Sequence, residues 1–165
     1  MILKKICMLG TFAVGKTSLV RRFVESIYSD SYLTTVGVKT DKKVVQVGGR
    51  EVTLMLWDTE GAESASDLQK SYLRGASGYL LVADGTRNDT LYNALAIQSK
   101  TQETLGAVPY LLLLNKADLI EQWAVSERET AALAQKGWQV LRTSAKTGEG
   151  VEEAFLTLAQ KMLEA

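Results

Sequence analysis

The chain has 165 residues, 46% hydrophobic and 23% charged, which is enough for one domain with a proper core and too few for two. Lysine plus arginine equals aspartate plus glutamate at 19 each, so bulk charge argues neither for a nucleic-acid nor for an anionic-membrane partner. There is no histidine and only one cysteine, which removes imidazole chemistry and an intrachain disulfide, argues against a zinc site, and points to hard cations held by oxygen.

No apolar run reaches membrane-spanning length, and Met1-Ile2-Leu3-Lys4-Lys5 is not a secretory signal. Ile2 excludes myristoylation, and Met162-Leu163-Glu164-Ala165 holds no cysteine to prenylate. The expectation is a soluble, cytoplasmic chain without a membrane anchor of its own. Cys7 lies in the first apolar strand and reads as a buried, inert thiol.

In chain order, Ile6-Cys7-Met8-Leu9 is a strand, and a helix runs on from Ser18 through Val24. Between them stands Gly10-Thr11-Phe12-Ala13-Val14-Gly15-Lys16-Thr17, the pattern G-x-x-x-x-G-K-[ST] of a phosphate-binding loop. Gly10 and Gly15 let the backbone curl so that successive N–H groups face phosphate oxygens. Lys16 supplies a point charge for the outer phosphates, and the Thr17 hydroxyl can ligate Mg²⁺. Ser26 to Gly37 is polar and aperiodic. Asp41–Val47 and Glu51–Trp57 are β-prone runs joined by Gly48-Gly49, which predicts a tight hairpin and the sheet's one antiparallel pair.

A loop from Asp58 leads to a short helix ending towards Arg74. Tyr79–Ala83 is a strand covered on both faces, Asp89 to about Leu105 a helix, and Pro109 opens the next buried strand, Tyr110–Leu114. Ser126-Glu127-Arg128-Glu129 has the form of a capping box, with Gly137 at the far end of its helix. Trp138–Arg142 and Val151–Leu163 are the last strand and helix. Strands alternating with helices predict a parallel α/β sheet with helices on both faces, and no linker or repeat interrupts residues 1–165 as one domain.

Three further motifs stand just after apolar strands, where open α/β sheets bind ligands. Asp58-Thr59-Glu60-Gly61 is D-x-x-G, in which Asp58 can reach a Mg²⁺ shell and the Gly61 N–H a terminal phosphate. Asn115-Lys116-Ala117-Asp118 places a carboxylate where it can accept two hydrogen bonds from guanine, with the Lys116 stem along the base plane. Thr143-Ser144-Ala145-Lys146 would offer the Ala145 N–H to the base carbonyl.

Together these motifs resemble the Ras superfamily of small GTPases over nearly the whole chain. The Rab-like branch is nearest, on Thr35-Val36-Gly37-Val38, Trp57-Asp58-Thr59 and Ser71-Tyr72-Leu73-Arg74-Gly75-Ala76. The resemblance implies a three-layer P-loop NTPase G domain: a six-stranded, mostly parallel sheet with one antiparallel edge strand and five helices. It implies GTP or GDP with Mg²⁺, contacted by residues Thr11 to Ser18 (Thr11, Phe12, Ala13, Val14, Gly15, Lys16, Thr17, Ser18), by Tyr28 over the base, and by Thr35 and Gly61. Asn115, Lys116, Asp118 and Leu119 would form the base loop, with Ser144, Ala145 and Lys146 as the second. Thr17, Thr35 and Asp58 would hold the metal, while Lys16, Thr35 and Gly61 would stabilise the reacting phosphate. An exchange factor, an activating protein and an effector are expected at Thr35–Gly37, Trp57 and Tyr72, the last two matching members of an exposed aromatic triad whose third position here is Thr40.

Three positions depart from that pattern. Ala62 replaces the glutamine that orients the attacking water, Glu60 replaces a small residue, and Phe12 stands at a loop position that is ordinarily small. Three readings are open: slow intrinsic hydrolysis with a long-lived GTP state, groups supplied by a partner or by Glu60 or Glu63, and a sequence altered to trap one nucleotide state. A non-hydrolysing GTP- or GDP-binding interaction module is the alternative from another class.

Overall fold

A computed structural model describes residues 1–26, 37–59 and 70–165. Six strands form one sheet: β1 (Ile2–Leu9), β2 (Val38–Val47), β3 (Arg50–Thr59), β4 (Gly78–Asp84), β5 (Tyr110–Asn115) and β6 (Val140–Arg142), in the order β2-β3-β1-β4-β5-β6. β2 and β3 pair antiparallel and every other neighbour is parallel. The Gly48-Gly49 link is a two-residue hairpin turn with both glycines at positive φ, 57° and 78°, which a side chain would oppose. Five α-helices connect the strands: α1 (Lys16–Glu25), α2 (Lys70–Leu73), α3 (Asn88–Leu105), α4 (Glu127–Gln135) and α5 (Val151–Glu164). This is the six-stranded mixed α/β fold implied by the motifs.

Alternation along the strands sorts the core into two layers. Ile6, Met8, Leu80, Val82, Leu111 and Leu113 face α1 and α5, where Phe23 and Phe155 stack with ring centroids 4.1 Å apart. Cys7, Leu9, Tyr79, Leu81, Leu112 and Leu114 face the other way, onto α3 and its neighbours. A sheet buried on both faces needs continuous apolar strands, and β4 is buried at all seven positions. Burial in that layer pushes the Cys7 thiol up to about 12, so it is inert at neutral pH.

Two strands run further than the apolar pattern indicates. β1 begins at Ile2 because its parallel register on β3 continues through Ile2 opposite Val52, and β2 begins at Val38 opposite Thr59. Ladder hydrogen bonds are indifferent to side-chain polarity, and Lys39, Lys42 and Lys43 on this edge strand discourage pairing with another chain. The α4 capping box forms as the residues predict: Ser126 accepts from the Glu129 N–H, and the Glu129 carboxylate accepts from the Ser126 N–H. Among the described residues no helix is long and apolar enough to cross a membrane.

Candidate nucleotide site

The loop after β1 and the N-terminus of α1 lie at the carboxyl end of the strand where the sheet order changes direction, between β3 and β4. Its glycines do more than bend. A Cβ on Gly10 would stand 2.4 Å from the Val82 carbonyl oxygen, and one on Gly15 2.3 Å from the Asn115 side-chain nitrogen. Gly10 therefore lets the loop press onto β4, and Gly15 lets it press onto the end of β5. Ala13 adopts φ 63°, a left-handed conformation unusual for a residue with a Cβ.

Lys16 is buried, 5% exposed, and its Nζ donates to the carbonyls of Gly10 at 3.0 Å and Thr11 at 3.2 Å. Burial lowers its pKa to about 8, against the opposing pull of the Asp58 charge. Among the described residues no carboxylate makes an ion pair with it. A desolvated ammonium facing a curled backbone is a site that favours a polyanion.

The Thr17 hydroxyl donates to Asp58 Oδ2 at 2.5 Å, and Asp58 is 1% exposed. One hydroxyl and one carboxylate in contact, next to a phosphate loop, suit Mg²⁺, which takes few protein ligands and completes its shell with phosphate and water. Among the described residues no cluster of three or more acidic, cysteine or histidine side chains offers a cage for another ion.

Beside the loop lies a cavity of about 220 Å³ lined by Gly15, Ser18, Asn115, Lys116, Asp118, Leu119, Ala145 and Lys146. All eight are candidate site residues named from the sequence, drawn together from three loops. Asp118 Oδ1 accepts from the Ser144 hydroxyl at 2.8 Å, and Ser144 in turn accepts from the Thr147 N–H at 3.1 Å. Asn115 is a brace: its amide donates to the Val14 carbonyl at 2.9 Å while its oxygen accepts from the Thr143 hydroxyl at 3.1 Å. Lys116, at φ 70°, donates to the Ala13 carbonyl at 3.1 Å and pairs with Asp84 at 2.9 Å.

Three residues not named from the sequence hold this arrangement. Arg22 on α1 donates through Nε to the Ala145 carbonyl at 2.8 Å and through Nη2 to the Lys146 carbonyl, so it fastens the second base loop to the helix that follows the phosphate loop. Asp84 ends β4 nearly fully buried. Burial would raise its carboxyl pKa, but hydrogen bonds from Thr86 and Lys116 hold it below the usual value. Arg87 pairs with Asp84 at 3.1 Å. The one available signal was the place of Asp84 at a strand's carboxyl end.

The expected aromatic surface is corrected at Tyr72. It is only 7% exposed, packed edge-on against Trp57, with its hydroxyl donating to the Trp57 carbonyl and lying 3.2 Å from that of Met8. Burial raises the phenol far above its ordinary pKa. Trp57 is half-buried under the Lys5 ammonium, 3.7 Å above the ring, which also donates to the carbonyls of Tyr72 and Arg74 at 2.8 Å each. Both aromatics fasten the end of α2 to the sheet. Tyr28, Thr35, Glu60, Gly61, Ala62 and Glu63 lie outside the described residues.

A phosphate loop on a mixed six-stranded sheet, with a base-sized cavity alongside, defines the class as a nucleotide-binding α/β domain. The sequence matches the Ras family over residues 5–164. It is 40% identical over 162 residues to Ras-related protein Rab-4B of Homo sapiens, covering 96% of this chain and 76% of that protein. Ras-related protein Rab-4A of Mus musculus matches at 40% with 96% and 74% covered, and Ras-related protein RABD1 of Arabidopsis thaliana at 37% with 94% and 77% covered. The chain belongs to the Ras superfamily, as a Rab-like small GTPase.

Proposed function

We propose that this domain is a guanine-nucleotide switch with a long-lived GTP state, because its residues suit holding a triphosphate better than cleaving one. The observation that carries the nucleotide assignment is the joined cavity: Asp118, oriented by Ser144, sits with Lys116 and Asn115 directly beside the phosphate loop. A carboxylate there accepts from guanine's N–H and exocyclic amine, and adenine would leave it unpaired.

Thr17, Asp58 and Thr35 would hold Mg²⁺, which when bound neutralises phosphate charge. The loop N–H groups and Lys16 stabilise charge on the transferring phosphoryl group as water attacks in line. By the family resemblance, Thr35 and Gly61 would contact the γ-phosphate, and its loss would release both segments, the order–disorder change that partners would read. The Ala62 methyl cannot orient the attacking water. Phe12, 47% exposed on the loop, would crowd the approach of a partner's arginine, a group worth about 10³–10⁵ in rate elsewhere. Regulators and effectors would meet the surface formed by Thr35–Gly37, the β2–β3 hairpin and Trp57.

Single-turnover GTP hydrolysis by purified protein tests this, compared with Ala62→Gln. Slow wild-type turnover and at least a tenfold gain in the variant are expected. An Ala62→Gln rate equal to wild type would show that water orientation is not the limiting defect. No turnover in either, with GTP retained, would favour the non-hydrolysing module. Equal affinity for ATP and GTP would sink the guanine assignment.

A further inference from the structure

Three consecutive carbonyls of the phosphate loop are gripped from behind. Arg87 Nη2 donates to the Phe12 carbonyl at 3.4 Å and to that of Ala13 at 3.3 Å. Lys116 Nζ donates to the same Ala13 oxygen at 3.1 Å, and Asn115 Nδ2 to the Val14 oxygen at 2.9 Å. In a trans peptide the carbonyl of one residue and the N–H of the next point to opposite sides, and no described peptide is cis. Holding the carbonyls of residues 12, 13 and 14 outward therefore aims the amides of Ala13, Val14 and Gly15 inward, towards the concavity of the loop.

Lys116 and Asn115 belong to the base motif. Arg87 belongs to no motif, and its grip is built rather than incidental. Asp84, 1% exposed, accepts from Arg87 Nε at 3.1 Å and Lys116 Nζ at 2.9 Å on one oxygen, and from the Thr86 N–H at 2.9 Å and hydroxyl at 2.6 Å on the other. One buried carboxylate thus holds both cations that reach the Ala13 carbonyl. Ala13 needs such an external hold, since its left-handed backbone is disfavoured for a residue with a Cβ.

We propose that Arg87, anchored on Asp84, is a positioning residue that holds the phosphate loop in its amide-inward form and ties it to the base loop through Lys116. The inference rests on the nucleotide reading above and adds to it a residue from the start of α3. The planar guanidinium suits this place because Nε takes the carboxylate while Nη2 takes the carbonyls in one rigid fork. An ammonium supplies charge without that geometry.

The test uses the nucleotide-loaded protein and GDP itself as probe. GDP release is timed for wild type, Arg87→Ala, Arg87→Lys and Asp84→Asn, and phosphorus NMR of the bound GDP is recorded. Arg87→Ala is expected to release GDP about tenfold faster, with the β-phosphate resonance displaced and the α-phosphate resonance unmoved. Arg87→Lys should recover part of the loss, and Asp84→Asn should move the same way as Arg87→Ala. The Arg87 side chain is 40% exposed, so Arg87→Ala carries the test even if Asp84→Asn fails to fold. Wild-type release, or an unmoved β-phosphate resonance, in Arg87→Ala would overturn the inference while leaving the nucleotide reading intact. A wild-type protein that retains no GDP would instead overturn the nucleotide reading, and this inference with it.

Discussion

The two halves of the candidate site are built on opposite principles. In the base half, side chains are already bonded to one another: Ser144 to Asp118, Thr143 to Asn115, Lys116 to Asp84, and Arg22 to the carbonyls of Ala145 and Lys146. In the phosphate half the working groups are main-chain amides, a Thr17–Asp58 pair and a buried ammonium that rests on its own loop's carbonyls. Among the described residues, the base loops are braced by bonds within the chain itself. The phosphate half carries a desolvated charge that an anion would relieve. That division suits a switch, because the grip on the base can stay constant while contacts to the terminal phosphate come and go.

The largest expected effect breaks the phosphate half. Replacing Lys16 by Ala removes the buried ammonium and its charge-assisted hydrogen bonds, at about 1.5–3 kcal/mol each, so GDP affinity should fall about a thousandfold. Equilibrium titration with a fluorescent guanine nucleotide measures this, and retained affinity would mean that the loop is not the phosphate site. Asp118→Ala should instead act on discrimination. The preference for GTP over ATP is expected to shrink about a hundredfold in competition binding, with the loop's contribution to either nucleotide unchanged. If Asp118→Ala weakened both nucleotides equally, the two halves would not be separable. The smallest effect belongs to Arg22→Ala, which leaves every ligand-facing side chain in place and frees the second base loop. A rise of about three- to fivefold in GDP release rate is expected, and an unchanged rate would show that the loop holds its shape without α1.

The motifs were legible because each is short, contiguous and set by local chemistry. Gly10 to Thr17 reads as a candidate phosphate loop, Asn115 to Asp118 and Ser144 to Lys146 read as a candidate base site, and apolar runs between them mark strands of a mostly parallel sheet. Tyr72 was misplaced for a physical reason. Its expected exposure rests on its match to an aromatic triad, which says nothing of the partners for its hydroxyl, and the carbonyls of Met8 and Trp57 belong to two strands remote from α2 in sequence.

What the sequence alone determined is the kind of site: its glycines, its lysine, its carboxylates and their order along an alternating α/β chain. Local patterns carry this because loop curvature and strand periodicity depend on neighbours in the chain. Only the tertiary structure decided what holds the site in shape. Gly10 and Gly15 make room for Val82 and Asn115, Arg22 reaches a loop 123 residues away, and Asp84 gathers Lys116 and Arg87 behind the phosphate loop. Apart from the local Asp84–Arg87 pair, those contacts join groups far apart in sequence, and their energies arise only when folding removes the water between them.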